Sequence, residues 1–168
     1  DSKGYEYKAK LTILKEAART LNYLTENNLL QYADLEKKVE DVHSSYDRIG
    51  KELKGVEARL REVQPLIKNI SNYQRLKPVY DAFQKAKDKP GFKAKHEAEL
   101  VIFEAARSTL LAMQGDEKLP SLKTLKAEQA QLFEEQERLY AERNRLKKEA
   151  KQIETIKSNV DTFLAPSA

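Results

Sequence analysis

Leu35, Val39, Val42, Tyr46, Ile49, Leu53, Val56, Leu60, Val63, Ile67 and Ile70 follow one another at spacings of four and three without a break. A 3.5-residue repeat keeps one apolar stripe on one side of a helix, and that stripe has to be buried against another helix. A second ladder, Leu125, Leu132, Leu139, Leu146, Ile153 and Val160, recurs every seven residues. Two such ladders in a chain of 168 residues point to a scaffold or binding arm, with any chemistry residing elsewhere.

Composition narrows this further. Charged residues make up 35% of the chain, against about a quarter in an average domain, as expected of long exposed helices. No segment alternates like a strand. The absence of cysteine excludes disulfides, thiol catalysis and thiolate metal sites and fits a cytoplasmic protein. No apolar run approaches the ~20 residues that span a bilayer, so no membrane insertion is expected. The chain opens at Asp1 and carries no signal peptide, so it is expected to be a piece of a longer protein.

Four helical segments are predicted within one helical domain, 1–168. The first covers 5–26, with Leu11, Leu14, Ala18, Leu21 and Leu24 as its inward stripe and the pair Asn27-Asn28 as its end, since Asn tolerates the left-handed conformation. A long helix follows at 31–74. Gly50 and Gly55 inside it mark either a close helix crossing or simple tolerance. Pro65 interrupts neither the ladder nor its register, so it predicts a kink, and Pro78 is a second candidate kink. A helical tip is expected at 75–118, its turn at Asp88-Lys-Pro-Gly91. Its main helix, about Phe92 to Met113, carries Leu100, Phe103, Ala106, Leu110 and Met113 inward and is closed by Gly115. After the loop Gly115–Pro120, Ser121 caps a second long helix at 121–164. There Gln129, Gln136, Arg143 and Ala150 share the seam with the leucines, and Phe133 and Tyr140 widen it. The fold class is therefore all-α: a long antiparallel coiled-coil hairpin with a helical tip and a short N-terminal helix. A homodimer through the first ladder is the alternative use of the same stripe.

Catalytic patterns are thin. His43 and His96 do not make a His-Glu-x-x-His zinc spacing, and there is neither a phosphate-binding glycine loop nor a nucleophile elbow. No cofactor is expected. Charge, however, is unevenly placed. Residues 65–96 hold eight basic side chains against Asp81 and Asp88, whereas in 1–64 bases and acids cancel. Arg75, Lys77, Lys85, Lys87, Lys89, Lys93 and Lys95 straddle the turn, with Tyr73, Tyr80, Phe83 and Phe92 interleaved. Clustered bases neutralise phosphates, and rings such as Tyr73 or Tyr80 can stack on unpaired bases. The competing explanation is that the aromatics are core and the lysines merely solvate the tip. A further basic run, Arg143, Arg145, Lys147, Lys148 and Lys151, alternates with Glu142 and Glu149 and reads as a solvated face.

Several stretches resemble a known family. KGYEYKAKLTILKEAARTLNYLTENNLLQYADLEKKV (3–39), NYQRLKPVYDAFQKAKDKPGFKAKHEAEL (72–100), KLPSLKTLKAEQAQL (118–132) and IKSNVDTFL (156–164) are similar, in this order, to the C-terminal helical region that follows the nuclease domain in relaxases of bacterial conjugative and mobilisable elements, especially those of Firmicutes. Pro78 departs from that pattern. The resemblance implies a parent that nicks one DNA strand through a tyrosine, with a metal held by histidines, and pilots the strand into a recipient cell. That machinery belongs to the N-terminal domain and no residue here matches it, Tyr5 and Tyr7 included, so no catalytic or metal-binding residue is carried over. For this segment the resemblance implies a non-catalytic accessory role, with DNA, relaxosome proteins or the transfer machinery as partners. An interaction or dimerisation arm without DNA affinity is the alternative.

Overall fold

The computed structural model describes residues 2–115 and 117–166. Among them the chain is all-helical: α1 (Ser2–Glu26), α2 (Tyr32–Lys85), α3 (Lys89–Lys95), α4 (Glu97–Gln114) and α5 (Leu122–Leu164). Two compact units divide the chain, one formed by Asp1–Glu52 with Leu139–Ala168 and the other by Leu53–Arg138.

In the first unit, α1 ends as its sequence dictates. Asn28 takes φ +55°, and the Leu29 N–H returns to the Leu24 carbonyl at 2.8 Å. The pairing of a left-handed residue with this backward hydrogen bond satisfies carbonyls that the helix end leaves open. It also delivers Leu29 to a core made with Leu35, Ile153 and Ile156, against which Tyr23, Leu24, Val39 and Val160 pack. Burial holds the Tyr23 hydroxyl above its ordinary pKa, because the phenolate loses solvation there. Partners of α2 on α5 fall in number as those on α2 rise: Tyr32 donates to Asp161 at 2.6 Å, Lys38 pairs with Glu149 at 3.1 Å, and the Arg143 guanidinium lies 5.4 Å from the Tyr46 ring centre. The two helices are thus antiparallel here. Hydrogen bonds from Tyr32 and then Lys157 hold the Asp161 carboxyl below the usual range.

One expectation fails in this unit. The stripe assigned to the inner side of α1 is largely exposed, with Leu14, Ala18 and Leu21 in solvent. The side facing α5 instead carries Thr20, which is buried and accepts a hydrogen bond from Asn159 at 3.1 Å. A buried hydroxyl with a partner is tolerated, and Tyr23 and Leu24 beside it supply the apolar contact.

The second unit is built on the remainder of α2, on α3 and α4, and on the first part of α5. Val63, Ile70, Leu110 and Leu125 form its core, with Leu66, Ile67, Tyr73, Leu119, Leu122 and Leu132 packed around them. α2 does not stop near residue 74 but runs through Pro65 and Pro78 to Lys85. Both prolines lie on its exposed side, where water reaches the carbonyls their missing N–H groups leave unpaired. Gly50 and Gly55 have open space where a Cβ would stand, so neither marks a close crossing. The expected single helix from Phe92 is two. α3 begins at Lys89, where the Asp88 carboxylate accepts from the Gly91 N–H at 3.1 Å, and His96 leaves helical geometry with φ −123° and ψ 24°. Leu100, Phe103, Ala106 and Leu110 are buried on α4 as expected, whereas Met113 is exposed. Gly115 closes α4 at φ +56°. Ser121 Oγ accepts from the Thr124 N–H at 3.1 Å and opens α5, as an N-cap serine should. Residue 116 of the intervening loop lies outside the described residues. Phe133 and Tyr140 do not widen the seam of α5, since both are exposed.

Arg59 joins α2 to α5 in this unit through Nε to Glu128 Oε1 at 2.5 Å and Nη2 to Oε2 at 3.1 Å. This two-pronged contact holds the Glu128 carboxyl below its usual range. A carboxyl whose pKa is lower folded than unfolded adds stability that is complete above its unfolded pKa, ~4.3, and is lost as pH falls through the folded value. Both side chains are partly exposed, so solvent screening limits the contribution to about 0.5–1 kcal/mol. Glu128→Gln is expected to be less stable by that amount at pH 7 in urea titrations. The gap should close as the pH drops below ~4; a gap independent of pH would refute the pair as its source.

Most rungs of both ladders are buried within the chain, among them Leu53, Leu60, Leu139 and Ile153, while Val39, Tyr46, Ile67, Leu132 and Val160 are half-buried. Among the described residues, no helix is long and apolar enough to cross a membrane.

Candidate nucleic-acid interface

The basic segment falls entirely in the second unit, and the structure sorts it into two kinds of residue. Arg75 and Lys77 sit on the exposed side of α2 and have local partners. Arg75 donates to Asn72 at 3.3 Å, and Lys77 pairs with Asp81 at 3.2 Å. Lys85, Lys87, Lys89, Lys93 and Lys95 are all exposed. Among the described residues none of these five enters an ion pair.

Local structure explains why the lysines can gather there. Lys85 lies in the last turn of α2 and Lys93 and Lys95 in the last turn of α3, where cations meet the partial negative charge of a helix C-terminus. Asp88, the acid inside the cluster, is turned onto the Gly91 N–H. The turn thereby folds compactly and leaves the ammonium groups on the outside. Gly91 is needed for this arrangement, because a Cβ at that position would overlap the Asp88 carboxylate.

Aromatic residues of the segment serve packing. Tyr73 and Tyr80 both stack on Phe103 of α4, with centroids 5.1 and 4.5 Å apart. Arg107 adds a hydrogen bond from Nη1 to the Tyr80 hydroxyl at 3.2 Å. The ring faces that meet Phe103 are closed to a base. Phe92 lies between Phe83, at 6.1 Å, and His96, at 4.4 Å. Spacing alone left stacking on bases and packing in the core both open for these rings; the position of Phe103 shows the packing.

Other candidate chemistry does not assemble. His43 pairs with Glu154 at 2.9 Å and His96 with Glu99 at 3.2 Å. Among the described residues no group of three or more His, Cys, Asp or Glu side chains could hold a metal ion. Arg145 in the second basic run bonds to Glu149 at 3.1 Å, in keeping with a solvated helix face. A groove of about 630 Å³ beside Ile70, Tyr73, Leu110 and Leu111 has Arg107 and Lys118 at its rim. Ser121 also lines it, and that hydroxyl is already engaged in capping α5.

Comparison with protein-family models, curated proteins and solved structures finds no match to this chain.

Proposed function

We propose that this chain is a non-catalytic helical accessory module of a conjugative relaxase, working in the cytoplasm, and that the turn joining α2 to α4 contacts DNA phosphates. One observation carries the reading: five exposed lysines, Lys85 to Lys95, stand without acidic partners among the described residues on a capped, compact turn. A charged group without an internal partner keeps its full attraction for an external anion, and a phosphate backbone offers such anions at regular spacing. Lysines carry the contact in this reading, while Tyr73 and Tyr80 hold the platform in place through Phe103. The sequence resemblance to the post-nuclease region of relaxases supplies the biological setting, in which such a module would hold the transferred strand or the origin duplex near its parent enzyme and the relaxosome.

Fluorescence anisotropy with labelled single-stranded and duplex oligonucleotides across a salt series tests it. Affinity is expected to fall steeply with salt, and Lys85/Lys87/Lys89→Glu to lower the slope of log K against log salt by about 3 for duplex DNA, or ~2 for a single strand. At low salt the variant should bind at least about a hundred-fold more weakly. Binding that survives the reversal would remove the turn from the interface, and no binding by the native chain would end the DNA reading.

A further inference from the structure

We infer that the exposed side of α1 is a docking surface for an amphipathic helix of another protein, one whose apolar stripe is flanked by acidic residues. Tyr7, Leu11, Leu14, Ala18 and Leu21 are spaced 4-3-4-3, the same repeat that the rest of the chain buries. Here it is not buried: Tyr7 and Leu14 are each 69% exposed and Leu21 is 58% exposed. The stripe is distinct from the side α1 uses at home, which presents Thr20, Tyr23 and Leu24 to the first unit's core. A heptad face left in solvent has the geometry that receives a helix, and Ala18 lets the partner backbone approach closely.

Charge selects the occupant. The positions flanking this stripe hold Lys8, Lys10 and Lys15 with Ala17, Asn22 and Leu24, and no acid. Among the described residues those three lysines make no ion pair. The acids of α1 lie away from the flanks, and Glu16 is engaged by Arg19 at 3.4 Å. A second copy of α1 docked parallel would set Lys10 against Lys15, and docked antiparallel Lys8 against Lys15. Either arrangement sets like charges together, whereas a Glu-flanked helix pairs with every one of them. The surface lies in the first unit and does not rest on the DNA reading of the second.

A fluorescein-labelled peptide of four heptads, with Leu in both core rows and Glu at every flanking position, is the probe; the same peptide with Lys at the flanks is its control. Anisotropy is expected to show binding of the Glu peptide and at least about ten-fold weaker binding of the Lys peptide. Leu14→Asp/Leu21→Asp should abolish binding, with helicity by circular dichroism retained because both side chains are exposed. Lys8/Lys10/Lys15→Glu should reverse the preference between peptides, and Lys85/Lys87/Lys89→Glu should change neither. Equal affinity for both peptides, or none for the Glu peptide, would overturn the proposal. So would a concentration-dependent dimer in sedimentation that Leu14→Asp/Leu21→Asp dissolves, since the occupant would then be a second copy. If the α1 lysine reversals removed oligonucleotide binding and no peptide bound, the flanks would be a nucleic-acid contact and the docking site would fall.

Discussion

Phe103→Ala is expected to destabilise the chain by about 3–5 kcal/mol. Phe103 is 2% exposed and is the ring on which both Tyr73 and Tyr80 lie. Truncation removes the transfer energy of the ring, leaves a cavity that stiff helices cannot fully close, and breaks two aromatic contacts at once. Phe103→Leu keeps much of the volume but loses the stacking, and should cost roughly half as much. Urea denaturation followed by circular dichroism gives both numbers. A cost under ~1 kcal/mol for the alanine variant would mean that α4 is not seated on α2 in the way described. The same variant bears on function, because the tyrosines it releases sit on the segment of α2 that leads to the lysine turn.

The reverse sign is expected at the prolines. A proline inside a helix costs ~3 kcal/mol relative to alanine. Against this, its stiffness removes about 0.4–1 kcal/mol of unfolded-state entropy. Pro65 and Pro78 are inside α2 and on its exposed side, so alanine restores a backbone hydrogen bond at either position without disturbing the core. Pro65→Ala and Pro78→Ala should each stabilise by about 2 kcal/mol, and the double variant by about 4, since sites this far apart along a helix act independently. The urea midpoint should rise at unchanged m-value. If neither substitution raises it, the helix accommodates the rings without strain and the interior-proline cost does not apply here. Pro78 precedes the lysine turn, so a stabilised variant that still binds oligonucleotides would also show that a proline at this position is not required for contact.

Much of the fold was legible from residue spacing. The 3.5-residue ladders specify which positions of α2 and α5 turn inward, and Leu35, Val42, Leu53, Val63, Leu139 and Ile153 are buried accordingly. Local chemistry was equally readable at Asn28, Asp88, Gly115 and Ser121, because left-handed backbone, side-chain capping and glycine at a helix end depend on a few adjacent residues. The lysine turn was found the same way, since charge clustering is a property of the sequence.

Tertiary structure decided what spacing leaves degenerate. α1 carries two usable stripes, and periodicity says which residues share a side without saying which side meets a neighbour. The choice fell to Thr20, Tyr23 and Leu24 because Asn159, Ile153 and Ile156 complement them, and the more apolar row was left in solvent. Tyr73 and Tyr80 pack on Phe103, a residue distant in sequence whose position their spacing could not give. α2 continues through Pro78, where packing of Leu76 and Tyr80 on both sides of the proline holds the helix that local propensity alone would break. A sequence fixes which residues stand side by side along a helix; which side is buried depends on the surface another part of the chain brings to it.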